Sequence, residues 1–141
     1  MKLLLALTLF SAFLLVGCSE EQTNFQLSNP EVFGYATDIE GEWDVNTSVI
    51  VKGYTLEEKE NNKFQLRLSY TINLVQPDGT VQKSVASKQV NEQFGEKIAD
   101  YQIEDQFKFT SKTVGKYKVQ FIVTDETSAQ TSTIEKEFDL E

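Results

Sequence analysis

Residues 63–76 read KFQLRLSYTINLVQ, and no other stretch constrains the fold as strongly. Phe64, Leu66, Leu68, Tyr70, Ile72 and Leu74 alternate strictly with Lys63, Gln65, Arg67, Ser69, Thr71 and Asn73. Strand side chains point to opposite faces at period 2, so this pattern gives one buried and one wet face. Such a strand belongs in an antiparallel sheet. Pro77-Asp78-Gly79 closes it, with Pro at the first corner of a type I turn and Gly at the positive-φ position after it. A hairpin follows, its return strand running from about Thr80 to Val90 with Val81 and Val85 inward.

Comparable signals flank the hairpin. Residues 31–37, EVFGYAT, supply a first strand. In TSVIVKGYTLEE, Val49 and Val51 share one parity and Tyr54 and Leu56 the other, so a bulge at Gly53 would bring all four to the core side. Downstream, YQIEDQFKF alternates through Tyr101, Ile103, Phe107 and Phe109, and KYKVQFIVTD through Tyr117, Val119, Phe121 and Val123. STIEKEFDL closes the chain with Ile134, Phe138 and Leu140 inward. NEQFGEKIA alone has helical spacing, from Phe94 to Ile98, and predicts a single turn.

Short strands at intervals of about 8–15 residues with almost no helix predict an all-β fold, an antiparallel sandwich of about seven strands over residues 25–141. The C-terminal half resembles immunoglobulin-like and fibronectin III-like domains. Gly115-Lys116-Tyr117-Lys118-Val119 is similar to their tyrosine corner, with Val119 where antibody domains place a cysteine. The resemblance implies the sandwich, and fold alone implies no function.

A different segment speaks to location. After Lys2, residues 3–16 are almost unbroken apolar sequence, and Gly17-Cys18 then gives way to the polar SEEQTN. About 14 apolar residues suit the core of a signal peptide and fall short of the ~20 of a transmembrane helix. Leu15-Val16-Gly17-Cys18 resembles the lipobox of bacterial lipoproteins. That resemblance implies a signal peptide over 1–17, a diacylglyceryl group (commonly palmitate-rich) on Cys18, and membrane anchoring through lipid. Residues 18–24 then form a tether whose last six residues span at most about 20 Å. Ser19 after Cys18 resembles the outer-membrane sorting preference of enterobacterial lipoproteins, so the expected location is the cell envelope, outside the cytoplasm. Cys18 is the only cysteine, which leaves the domain none for a disulfide.

Charge and composition exclude several functions. The net charge is −9, and all 22 acids lie beyond Cys18, which disfavours nucleic acid as a partner because its phosphates require basic surface. There is no histidine and no Gly-Xaa-Ser-Xaa-Gly, so the common nucleophile–base pairs and His/Cys zinc sites are missing, and the chain is read as non-catalytic. No cofactor other than the covalent lipid is expected, with one candidate exception. In DIEGEWD, Asp38, Glu40, Glu42 and Asp44 alternate, so an extended segment would point four carboxylates to one side, a donor set that suits Ca²⁺. Trp43, between two acids in a turn-like stretch, and Phe33 and Tyr35 on either side of Gly34 are candidate partner contacts, aromatic residues being favoured at binding hot spots. The expected function is a membrane-tethered interaction module with an envelope protein as partner. A Ca²⁺- or small-ligand-binding receptor domain and a hydrolase or protease inhibitor on the same scaffold are the alternatives.

Overall fold

The computed structural model describes residues 24–141; the expected signal peptide, Cys18 and most of the expected tether lie outside the described residues. Eight strands follow in chain order: β1 (Gln26–Ala36), β2 (Glu42–Lys52), β3 (Leu56–Lys59), β4 (Lys63–Val75), β5 (Val81–Phe94), β6 (Asp100–Thr110), β7 (Gly115–Asp125) and β8 (Gln130–Leu140). One sheet has the order β1-β2-β6. In the other, β4 is central. Residues 64–75 of β4 pair with β5 on one edge, while β3 and then β7 share the opposite edge and β8 pairs with β7. All pairings are antiparallel, so the chain is an all-β, two-sheet sandwich.

The alternation seen in the sequence fills the space between the sheets. Leu66, Leu68, Ile72 and Leu74 of β4, Val119 and Val123 of β7, and Val45, Val49 and Val51 of β2 are fully buried. Burial of each such side chain contributes about 1.5–3 kcal/mol. A run of tilted aromatic contacts crosses the core: Phe107 to Phe109 at 6.3 Å, Phe109 to Tyr117 at 5.4 Å and Tyr117 to Phe138 at 5.9 Å between ring centres. It ties β6 of the first sheet to β7 and β8 of the second. The Tyr117 hydroxyl donates to the Thr113 carbonyl at 2.7 Å and bonds the Ser111 hydroxyl at 2.9 Å, which is the geometry of the tyrosine corner.

The β4–β5 hairpin closes as its residues dictate. The Gly79 amide donates to the Gln76 carbonyl at 2.9 Å, Gly79 sits at φ +84°, and Asp78 accepts from the Thr80 amide.

Three details depart from the sequence reading. Gly53 at φ +67° ends β2 instead of bulging it, and the chain crosses to the other sheet, where β3 begins. Tyr54, in the crossing, and Leu56, on β3, still pack on the core. Val81 is exposed: it pairs with Val75 on the outer side, and an irregularity with Ser84 at φ +54° separates its register from that of Ala86 and Val90, which pack on the core. NEQFGEKIA forms no helical turn; β5 runs through Phe94 and a bend follows.

Gly34 marks a close approach of the two sheets. A Cβ there would lie 2.6 Å from Leu140 Cδ2 and 3.0 Å from Phe138 Cε2, both on β8. Gly34→Val is therefore expected to lower stability by about 1–3 kcal/mol through overpacking, measured as a fall in urea midpoint. An unchanged midpoint would mean that β1 and β8 separate without cost.

Candidate functional site

The four candidate metal ligands do not converge. Residues 37–41 turn between β1 and β2 and are not extended, so Asp38 and Glu40 leave the row that Glu42 and Asp44 continue on β2. Those two are already engaged. Glu42 accepts from the Thr37 hydroxyl at 2.9 Å and pairs with Lys108 at 3.3 Å, and Asp44, buried, accepts from the Gln106 side-chain amide at 2.7 Å. Among the described residues no three acids, histidines or cysteines gather as a metal site.

Trp43 belongs to the core, contrary to its turn-like neighbourhood in sequence. It lies on β2 at the same inward parity as Val45, Val49 and Val51, only 8% exposed, and its indole nitrogen donates to the Ser111 carbonyl at 3.0 Å. Strand alternation hides Trp43 while turning the flanking acids outward.

Phe33 and Tyr35 have the opposite fate. Both project from the outer face of β1, 66% and 48% exposed, while Val32 and Gly34 of the same strand face β2 and β8 neighbours in the interior. Phe33 stands opposite Asn46, itself opposite Gln106; Glu31, Ser48 and Glu104 form the next row. Together with Lys88 these rows border an open recess of about 440 Å³ across the three-stranded sheet.

Two carboxylates tied in by hydrogen bonds, Asp105 half-buried and Asp125 buried, were missed by the sequence reading. Asp105 of β6 accepts from the Tyr70 hydroxyl at 2.7 Å, from Lys88 at 3.1 Å and from the Gln106 amide at 2.8 Å, joining β6 to β4 and β5 across the sandwich. Burial pushes its carboxyl up, but the bonds from Tyr70, Gln106 and Lys88 outweigh burial and hold it below the ordinary range. Tyr70 is pushed up, by burial first and then by the hydrogen bond to Asp105. Asp125, with no exposed surface, ends β7. It accepts from the Thr55 amide at 2.8 Å, the Thr127 amide at 2.9 Å and the Ser128 hydroxyl at 2.8 Å. Every lone pair used on these two acids goes to the protein, so both read as structural ties. Their signal was in the sequence: each occupies the inward parity of an otherwise apolar stripe.

The geometry defines a class, a two-sheet β-sandwich compatible with an immunoglobulin-like domain. No family model matches the chain. No curated protein matches it. A solved X-ray structure, Northeast Structural Genomics Consortium target SoR45, is similar over 82% of this chain and 84% of that chain, at 9% identity and a TM-score of 0.48.

Proposed function

We propose that this chain is a lipid-anchored protein of a bacterial cell envelope whose sandwich acts by surface contact rather than catalysis. Its anchor is Cys18, a reading supported by the apolar run, the small Gly17 and the polar tether that follows. The observation that carries the contact reading is the exposure of Phe33 and Tyr35 on a strand that buries Leu27 and Val32. Large aromatic rings left in water are costly unless a partner covers them, and they are the residues that supply most of an interface's energy. Tethering helps such a surface: confinement near the membrane raises the effective concentration of any envelope partner without a new contact.

Two substitutions test the reading. Cys18→Ser is expected to abolish uptake of labelled fatty acid and lipoprotein-type cleavage; a wild-type protein that takes up no label would overturn the anchor. Phe33→Ser with Tyr35→Ser is expected to leave the melting temperature within about 2 °C, because surface changes away from packing features cost within ~0.5 kcal/mol. The same variant should lose the crosslinked partner seen with wild type in native cells. Retention of that partner at full yield would sink the assignment of these two rings.

A further inference from the structure

The two ends of the sandwich differ in a way that gives the interaction a direction. β1 begins at Gln26 beside the end of β2, and the loops 53–55, 95–99 and 126–129 gather at that same end. They are stitched together by polar bonds, the Tyr54 hydroxyl to the Ile98 carbonyl at 2.8 Å and the Thr55 amide to Asp125. The turns 37–41, 76–80 and 111–114 occupy the other end. There the Ser111 amide donates to the Gly41 carbonyl at 2.8 Å, and a Cβ at Gly115 would lie 3.7 Å from Pro77 Cγ.

Among the described residues, the exposed large apolar side chains are Phe33, Tyr35, Ile39, Val81 and Val114. Ile39 and Val114 sit on the far turns, Val81 follows the third, and Tyr35 and Phe33 lead up to them along β1. None belongs to the loops beside the tether.

We propose, on the footing of the tethered-module reading above, that this far pole is the docking surface. Its partner is a protein that presents apolar side chains inside a rim of Lys and Arg and lies farther from the anchoring membrane than the domain itself. Charge selects the rim. The three far turns carry Asp38, Glu40 and Asp78 against the single base Lys112. Nearby, Lys108 is paired with Glu42, and Lys116 with Glu137 and Asp139.

The other occupants fit poorly. Two copies docked pole to pole would face acid with acid, an arrangement that costs several kcal/mol in like-charge contacts. An anionic lipid surface is repelled for the same reason. The chain's own tether cannot cover the pole: six residues span about 20 Å, whereas the eleven residues of β1 separate the poles by about 35 Å.

The test is site-specific photocrosslinking of the full-length, Cys18-anchored protein in its native cells. A photoreactive residue is placed singly at Ile39 and Val114 on the far turns, at Phe33 on the face, and at Lys97 and Thr127 on the near loops. The expected result is one protein adduct shared by 39 and 114 and absent from 97 and 127. Its mapped contact peptide should hold an apolar residue flanked by Lys or Arg. The yield at 114 should fall at least tenfold with Ile39→Asp, and should fall with rising salt in isolated membranes. Adducts between two copies, adducts with lipid, or a contact peptide without basic residues would overturn the proposal. Adducts confined to 97 and 127 would overturn it while leaving the interaction-module reading in place. No protein adduct at any of the five positions would remove both.

Discussion

Trp43→Ala is expected to destabilise the protein by about 3–5 kcal/mol, the range for deleting a large aromatic side chain from a packed core. Against a typical total of 5–15 kcal/mol, that takes much of the margin. The loss has two parts. Removing the ring opens a cavity beneath the pole formed by the 37–41 and 111–114 turns, and it removes the donor that holds the Ser111 carbonyl at 3.0 Å. Ser111 is also where Tyr117 anchors the tyrosine corner and where the turn donates its amide to the Gly41 carbonyl, so one indole braces the junction of both sheets. Trp43→Phe keeps most of the volume and should cost less, with about 1 kcal/mol of its effect due to the missing hydrogen bond. Urea denaturation followed by circular dichroism measures both. As the only tryptophan, Trp43 should also show blue-shifted emission in the folded protein that moves red on unfolding. A Trp43→Ala protein with an unchanged midpoint would contradict its burial and return the residue to the surface.

Asp125→Ala is the second large effect, expected to cost about 3 kcal/mol or more at pH 7. The substitution removes the acceptor from the amides of Thr55 and Thr127 and from the Ser128 hydroxyl, and a hydrogen bond to a charged group contributes about 1.5–3 kcal/mol. The contacts are far apart in sequence, so the damage should reach the start of β3 as well as the β7–β8 turn. Burial acts to raise the Asp125 carboxyl, but the bonds from Ser128, Thr55 and Thr127 prevail and hold it below the usual carboxylate range. A folded-state pKa depressed below the unfolded value of about 3.9 contributes its stability above that value and loses it as pH falls through the folded pKa. Asp105 is depressed as well and adds to the same loss. Stability should therefore decline below about pH 4. The Asp125→Asn variant, less stable at pH 7, should show a shallower decline. Parallel acid branches for wild type and Asp125→Asn would mean that Asp125 titrates alike in the folded and unfolded chains.

These two residues show where the sequence stops being readable. The Phe64-to-Leu74 and Tyr117-to-Val123 stripes were legible because a half-buried strand needs nothing but period 2 to be recognised, and the Pro77-Asp78-Gly79 turn because its backbone angles select those residues. Trp43 was misplaced because local polarity outweighed parity: one residue among acids carries no periodic signal until the strand that contains it is known. Asp105 and Asp125 sat in plain view at inward positions, yet a carboxylate in an apolar stripe is tolerable only if donors from distant segments meet it, and those donors come from β4, β5 and the stretch before β3.

The candidate acids of 38–44 failed to form a cluster for a related reason. Alternation gives one-sided carboxylates only in an extended chain, and the turn that lets β1 pair with β2 breaks the extension. By itself, then, the sequence determined the β class, the main hairpin, the tyrosine corner and the acidic balance, since each follows from periodicity, turn geometry or charge count within one stretch of chain. Tertiary structure alone decided which sheet takes each strand, which carboxylates are satisfied inside, and that, among the described residues, the exposed large apolar side chains lie along the outer face of β1 and at the end of the sandwich opposite Gln26. Those outcomes depend on pairings between residues tens of positions apart, where every candidate partner looks alike until burial and hydrogen-bond satisfaction select one.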